Sequence, residues 1–205
     1  MRRAAVIDLF AVLERAQKAR AEEAIADDKL VARALDGDRW ADEAIFRKHA
    51  RYVGSLAGRL LRSRSEAEDV VQDTFALALT ELPKLRDPAK LRGWLAQIAV
   101  SQVRRRFRRA RLLRAFGLDR SVEDLGLADL VAGSASPEVG ALLAELDDAL
   151  RELDADRRIA WMLRYVEGEQ LEDVAAACGC SLATAKRRIT SADVHVRARV
   201  ALEDG

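Results

Sequence analysis

Apolar residues recur every three to four positions along most of this chain, and they fall into stretches of helical length. Over Ala4 to Ile25, Val6, Leu9, Phe10, Leu13 and Ala16 line one side, with Arg15, Lys18, Arg20, Glu22 and Glu23 on the other. That is an amphipathic helix that packs on the body of the protein or awaits a partner. A second helix starts about Asp28 with Leu30, Val31, Ala34 and Leu35 inward, and Asp36-Gly37-Asp38 ends it. Trp40 to Leu61 is a longer helix that faces the core with Ile45, Phe46, Tyr52, Val53, Leu56 and Leu60. Ser65 is expected to cap the next helix, because Ser65-Glu66-Ala67-Glu68 has the spacing of a capping box. Ala67, Val70, Val71, Phe75, Leu77, Ala78 and Leu82 then point inward, and Asp69, Gln72, Asp73 and Thr74 are left outside.

Pro83 and Pro88 bracket a short connection, and a helix follows over about Ala89 to Phe116. Its first half is apolar on one side through Leu91, Trp94, Leu95, Ile98 and Ala99. From Arg92 to Arg114 there are eight arginines (92, 104, 105, 106, 108, 109, 111 and 114) and no acid, a one-sided run that suits a polyanion better than a merely solvated face. The balance then inverts. From Asp119 to Asp156 there are eleven acids against Arg120 and Arg151, with Gly126, Gly133, Ser134 and Ser136 marking an acidic linker. Helix resumes at Pro137 and runs through Leu142, Leu143, Leu146, Leu150 and Leu153; another starts at Asp154 or Asp156 and turns Ile159, Ala160, Met162, Leu163 and Val166 inward.

Leu171 to Ile189 holds two helical patterns that meet at a break. Leu171, Val174, Ala175 and Cys178 face inward on the first, Gly179 supplies the turn, and Ser181 caps the second, whose inward face is Leu182, Ala185 and Ile189. The pattern is that of a helix-turn-helix or of an ordinary helical hairpin with a solvated basic end; either way it offers Thr184, Lys186, Arg187 and Arg188 outward, and its second helix continues through Val194, Val196 and Val200.

Composition sharpens this picture. Only 5 % of residues are aromatic and β-branched runs are short, which argues for an all-α protein. The net charge of +1 says nothing about nucleic acid, so the distribution of charge has to carry that argument. Cys178 and Cys180 have no second ligand pair and His49 and His195 lie far off, so no metal site is expected. Neither histidine has a nucleophile at a recognisable spacing and there is no Gly-rich phosphate loop, so we expect no catalytic residues, no cofactor and no enzyme activity. No apolar run approaches a membrane span and no signal peptide is present, so a soluble, cytoplasmic protein without membrane insertion is expected.

From Asp28 onward the chain resembles a sigma-70 type transcription initiation factor of the extracytoplasmic-function (ECF) group. Asp28-Lys29-Leu30-Val31 with Ala34 to Asp38 resembles that group's opening, and Ala67-Glu68-Asp69-Val70-Val71-Gln72-Asp73-Thr74-Phe75 resembles its segment that docks on core RNA polymerase. Leu91-Arg92-Gly93-Trp94-Leu95 with Ile98-Ala99 resembles the entry to the helix that meets the −10 promoter element, and Leu163 to Gly168 with Leu171 to Ile189 resembles the −35 reader. The resemblance implies an all-α architecture of two small helical domains joined by an acidic linker, with a C-terminal helix-turn-helix. The chain then divides into a 1–27 amphipathic helical extension outside the resemblance, a 28–116 polymerase and −10 domain, a 117–136 linker and a 137–205 domain for −35 DNA. The resemblance implies polymerase contacts from Asp69, Gln72, Asp73 and Thr74. It implies DNA contacts from Lys84, Arg86, Lys90, Arg92, Ser101, Arg104, Arg105, Arg106, Arg108 and Arg109, and from Ser181, Thr184, Lys186, Arg187 and Arg188.

The implied partners are core RNA polymerase, double-stranded promoter DNA and its opened strand, and an anti-sigma protein. Ser101 stands where the family usually has Asn. Beyond Ile189, Ser191, Asp193, Val194 and Val196 replace a usually basic run, which weakens the phosphate grip there or moves it to Arg197 and Arg199. Two other readings stay open. A stand-alone helix-turn-helix regulator would not need the Asp69 to Phe75 motif, and a sigma-like interaction protein without promoter activity would fit the weakened basic tail.

Overall fold

The computed structural model describes residues 27–116 and 137–202, and these fall into two compact helical units. The expected helix over Ala4 to Ile25 and the acidic linker at 117–136 lie outside the described residues.

The N-terminal unit holds α1 (Asp27–Leu35), α2 (Arg39–Leu61), α3 (Arg64–Glu81) and α4 (Leu91–Ala115). Two short 3₁₀ turns, Leu82–Lys84 and Pro88–Lys90, join α3 to α4. Helix α2 is central: it packs on α1, α3 and α4, while α1 also rests on both 3₁₀ turns. Val31, Ile45, Val53, Leu56, Leu60, Leu91 and Leu95 form the dry interior. Asp38 starts α2 by accepting from Trp40 N at 2.9 Å. Ser63, not Ser65, caps α3. Ser63 has extended backbone and accepts from Glu66 N at 3.3 Å, while Ser65 lies inside the first turn with its hydroxyl 3.2 Å from that of Ser63. The sequence holds two overlapping Ser-x-x-Glu spacings, and the helix uses the earlier one.

Ala67, Val70, Thr74 and Ala78 make the buried line of α3, at three- and four-residue intervals. Thr74 is therefore inside rather than outside, and Leu77 lies off that line and is exposed. Leu35 and Phe46 are also exposed, contrary to their expected inward placement, although Phe46 keeps an edge-on contact with Phe75 at 4.9 Å.

The C-terminal unit holds α5 (Pro137–Arg151), α6 (Ala155–Trp161), α7 (Leu171–Ala177) and α8 (Leu182–Leu202). Helix α6 runs into a π turn, Met162–Val166, closed by the bond from Glu167 N to Met162 O at 3.0 Å. Asp154 sets the start of α6 by accepting from Arg157 N at 2.9 Å. Helix α8 is the spine of the unit and packs on α5, α6 and α7 through Ala185, Ile189, Ala192 and Val196. Leu182 and Val194 face out, because the buried stripe follows 185, 189, 192 and 196. A Cβ at Gly140, inside α5, would meet nothing within 4 Å. Gly140→Ala is expected to stabilise this unit by roughly 0.5–1 kcal/mol, since alanine loses less backbone entropy on folding. A thermal midpoint that fails to rise would contradict this.

Candidate nucleic-acid and protein interfaces

Two surfaces of the N-terminal unit stand out, one acidic and one basic. Helix α4 begins behind Asp87, which accepts from Ala89 N at 3.1 Å. Leu91, Leu95, Ile98, Ala99 and Val103 bury its first half. Beyond Val103 the burial ends and the helix carries its arginines into solvent. Ser101, Arg105 and Arg108 follow one another at i, i+4 and i+7, so they form one exposed stripe, with Arg109 and Arg111 also exposed.

Other members of the expected DNA set are engaged within the chain. Arg106 is only 17 % exposed and its Nη2 lies 3.1 Å from Asp73 Oδ2. The Arg92 guanidinium stacks over the Tyr52 ring at 3.9 Å, and Lys84 pairs with Glu81 at 2.7 Å. Arg104 is half-buried, whereas Arg86, between the two connecting turns, and Lys90, on the second, are exposed.

Asp69, Gln72 and Asp73 are exposed along α3. Thr74 is fully buried and its hydroxyl meets no hydrogen-bond partner, so it cannot touch another protein while the helix holds its place. Helix α3 also exposes Leu79, one turn beyond Phe75, and neighbouring α2 exposes Phe46 beside Phe75. The sequence pattern singled out neither as exposed; Phe46 sits at a helical spacing that reads as core.

In the C-terminal unit, α7 and α8 meet at a turn made by backbone bonds from Gly179 N to Ala176 O and from Cys180 N to Ala175 O, both 3.0 Å. Gly179 sits at φ 56, where a side chain costs about 1 kcal/mol, so the glycine is what lets the chain reverse here. Ser181 accepts from Thr184 N at 3.2 Å and its hydroxyl lies 2.9 Å from that of Thr184. Both side chains are thus occupied by the start of α8. Lys186 and Arg187 are exposed and share a shallow groove with Ala183, Thr190, Ser191 and Val194.

The last four were missed by sequence reasoning, although Thr190, Ser191 and Val194 follow from Lys186 and Arg187 at four- and seven-residue steps. Arg188 turns away from that groove and pairs with Asp156 of α6. Arg197 and Arg199, where the phosphate grip was expected to move, pair with Asp193 at 2.8 Å and Glu152 at 2.5 Å. The bond to Asp193 also raises Arg197 above the usual arginine range. Among the described residues no cluster of His, Cys, Asp and Glu suits a metal ion, and no helix is long and apolar enough to cross a membrane.

The family profile described as Sigma-70 region 2 matches residues 45–112, and Sigma-70, region 4 matches residues 143–192; together they span more than half of the chain. The chain belongs to the sigma-70 family of RNA polymerase sigma factors. Its relatives place this sigma factor in the ECF group. It is 31 % identical over 176 residues to the RNA polymerase sigma factor NccH of Alcaligenes xylosoxydans xylosoxydans, covering 84 % of this chain and 93 % of that protein. It is 31 % identical to the ECF RNA polymerase sigma-E factor of Haemophilus influenzae, covering 82 % and 91 %. It is 30 % identical to the ECF RNA polymerase sigma factor SigM of Mycobacterium tuberculosis (strain H37Rv), covering 86 % and 83 %.

Two solved structures are similar to this sigma factor. One is the sigma factor RpoE in complex with the anti-sigma factor NepR from Bartonella quintana, with TM-score 0.59 and 27 % identity over 74 % of this chain and 91 % of that chain. The other is CnrH in complex with the cytosolic domain of CnrY, with TM-score 0.58 and 25 % identity over 84 % and 96 %. The region 2 match runs from within α2 through all of α3 to most of α4, and the region 4 match covers the helix-turn-helix. A stand-alone regulator is therefore not favoured.

Proposed function

We propose that this sigma factor docks on core RNA polymerase through Asp69, Gln72 and Asp73 of α3, with Phe46 and Leu79 as the apolar part of the same contact. In this reading 28–116 forms the polymerase and −10 unit, 137–205 forms the −35 unit, and 117–136 tethers them. The carrying observation is that one small unit exposes a carboxylate face on α3 and an arginine stripe on α4. The carboxylates recognise a cationic protein surface, and the stripe of Ser101, Arg105, Arg108 and Arg109 positions promoter DNA through its phosphates. Lys186 and Arg187, with Thr190, Ser191 and Val194, meet the −35 element. The turns around Lys84, Arg86 and Lys90 face the opened strand, where holding an unstacked base offsets a cost of a few kcal/mol. The protein works by binding alone, in the cytoplasm beside its polymerase, and an anti-sigma protein is a further partner, as it is for the sigma factor RpoE.

Charge reversal tests the docking face. Asp69→Arg combined with Asp73→Arg is expected to weaken core polymerase binding at least tenfold, about 1.4 kcal/mol, and to abolish run-off transcription. Asp69→Arg alone leaves the Arg106 to Asp73 pair intact and should show most of the loss. Undiminished polymerase binding by both variants would overturn this placement of the docking face.

A further inference from the structure

We infer that Arg157, on α6, is a DNA-backbone contact at the rim of the groove on α8; the inference rests on the −35 reading of that groove. The flank of α8 that faces α6 and the end of α5 is lined by acids that engage its basic residues. Asp156 takes Arg188, and Glu152 takes Arg199 and lies 3.2 Å from His195 Nε2. That leaves Lys186 and Arg187 as the exposed basic residues of the groove itself.

Arg157 reaches the same groove from a different helix. Its Nε bonds to Asp154 Oδ2 at 2.6 Å, and Asp154 is in turn fixed as the cap of α6 by Arg157 N at 2.9 Å. The carboxylate is held by the helix start, and the guanidinium is held by the carboxylate. The far edge of the guanidinium then points at α8, with Nη1 3.4 Å from the hydroxyl of Ser191, a residue of the groove. The side chain is 38 % exposed.

A guanidinium has five N–H donors, and these two bonds occupy two of them. The remaining donors lie beside the groove that carries Lys186 and Arg187, and in the −35 reading phosphates border the major groove that the helix enters. Ordering a long side chain usually costs free energy on binding. Here Asp154 already orders it in the free protein, so the contact forms with less loss. Asp154 also keeps some negative charge near the site, which holds the contact to a single phosphate's worth of charge at most.

The test uses the reconstituted polymerase holoenzyme and a promoter fragment, with affinity measured across salt concentrations. Arg157→Ala is expected to lower the slope of log affinity against log salt by about 0.5, below the roughly 0.9 of an unpaired arginine because Asp154 offsets part of its charge. The alanine variant keeps the backbone N–H that Asp154 accepts, so α6 keeps its cap. Arg157→Lys should retain most of the slope, and Ser191→Arg placed in the Arg157→Ala background should restore it, because an arginine at 191 starts from the place that Arg157 reaches. The reference is Lys186→Ala with Arg187→Ala, expected to lower the slope by about 1.8.

If the reference variant lowers the slope and Arg157→Ala does not, the inference is overturned while the −35 reading stands. If neither variant moves it, both are overturned. A loss of affinity with an unchanged slope at every salt concentration would show that Arg157 only supports the fold, which also overturns the inference.

Discussion

Replacing Arg105, Arg108 and Arg109 together by alanine is expected to flatten the salt dependence of promoter binding by the holoenzyme, lowering its log–log slope by about 2.7. Each arginine that neutralises a phosphate releases a condensed counterion, and three are removed at once. At 0.1 M salt that release term amounts to roughly a hundredfold or more in affinity, which makes this the largest single effect expected on DNA binding. The choice of residues comes from the fold. These three are exposed on the half of α4 that has left the core. Arg106 lies in the same run yet is mostly buried against Asp73. Arg106→Ala should therefore leave the slope within about 0.3 of wild type, less than a single phosphate contact supplies. A slope that falls as much for Arg106→Ala as for Arg105→Ala would show that the stripe has been placed on the wrong side of the helix.

That contrast between neighbours also shows what a sequence can and cannot disclose. The helical period placed α2 to α4 and both helices of the helix-turn-helix within a residue or two, because burial repeats along each helix and Gly179 and Ser181 mark the break chemically. The period also contained the answer for Thr74, in register with Val70 and Ala78, but its polar character suggested the surface. Partners distant in sequence were not legible. Nothing in the local pattern says that Arg106 meets a carboxylate 33 positions away, or that Arg188 meets one 32 positions away. Those pairs are set by how helices pack, and they decide which of many arginines remain for DNA. The same reason hid Arg157, whose relation to the reading helix arises only when α6 lies against α8.

Removing the carboxylate of Asp27 is expected to cost the N-terminal unit about 3 kcal/mol, the second large effect. Asp27 is buried at the start of α1, and its Oδ1 accepts from Lys48 Nζ at 2.8 Å and from His49 Nε2 at 3.1 Å, both on α2. Asp27→Ala takes the acceptor from the buried imidazole and removes a carboxylate 2.8 Å from the Lys48 ammonium. For a unit of this size the thermal midpoint should fall by roughly 12–24 °C. Asp27→Asn, which keeps an acceptor oxygen and loses the charge, should cost about half as much.

The pH dependence follows from the same geometry. Burial alone would push the Asp27 carboxyl up, but the bonds and charges of His49 and Lys48 outweigh it and hold the group below its ordinary value. A carboxyl depressed in the folded state stabilises fully above the unfolded-state value, and the contribution is lost as pH falls through the folded one. The gap between wild type and Asp27→Asn should therefore be widest at neutral pH and should shrink through the acid range, measured by calorimetry at pH 7 and at steps below pH 4. A gap under about 0.5 kcal/mol, the range of an ordinary surface change, or one that stays constant with pH, would refute the buried ion pair. The consequence reaches function because α1 rests on both 3₁₀ turns between α3 and α4. Those turns carry Lys84 and Lys90, with Arg86 between them. Loosening α1 from α2 removes the support beneath them, so Asp27→Asn should reduce open-complex formation at temperatures where the unit is still folded, while leaving core polymerase affinity unchanged.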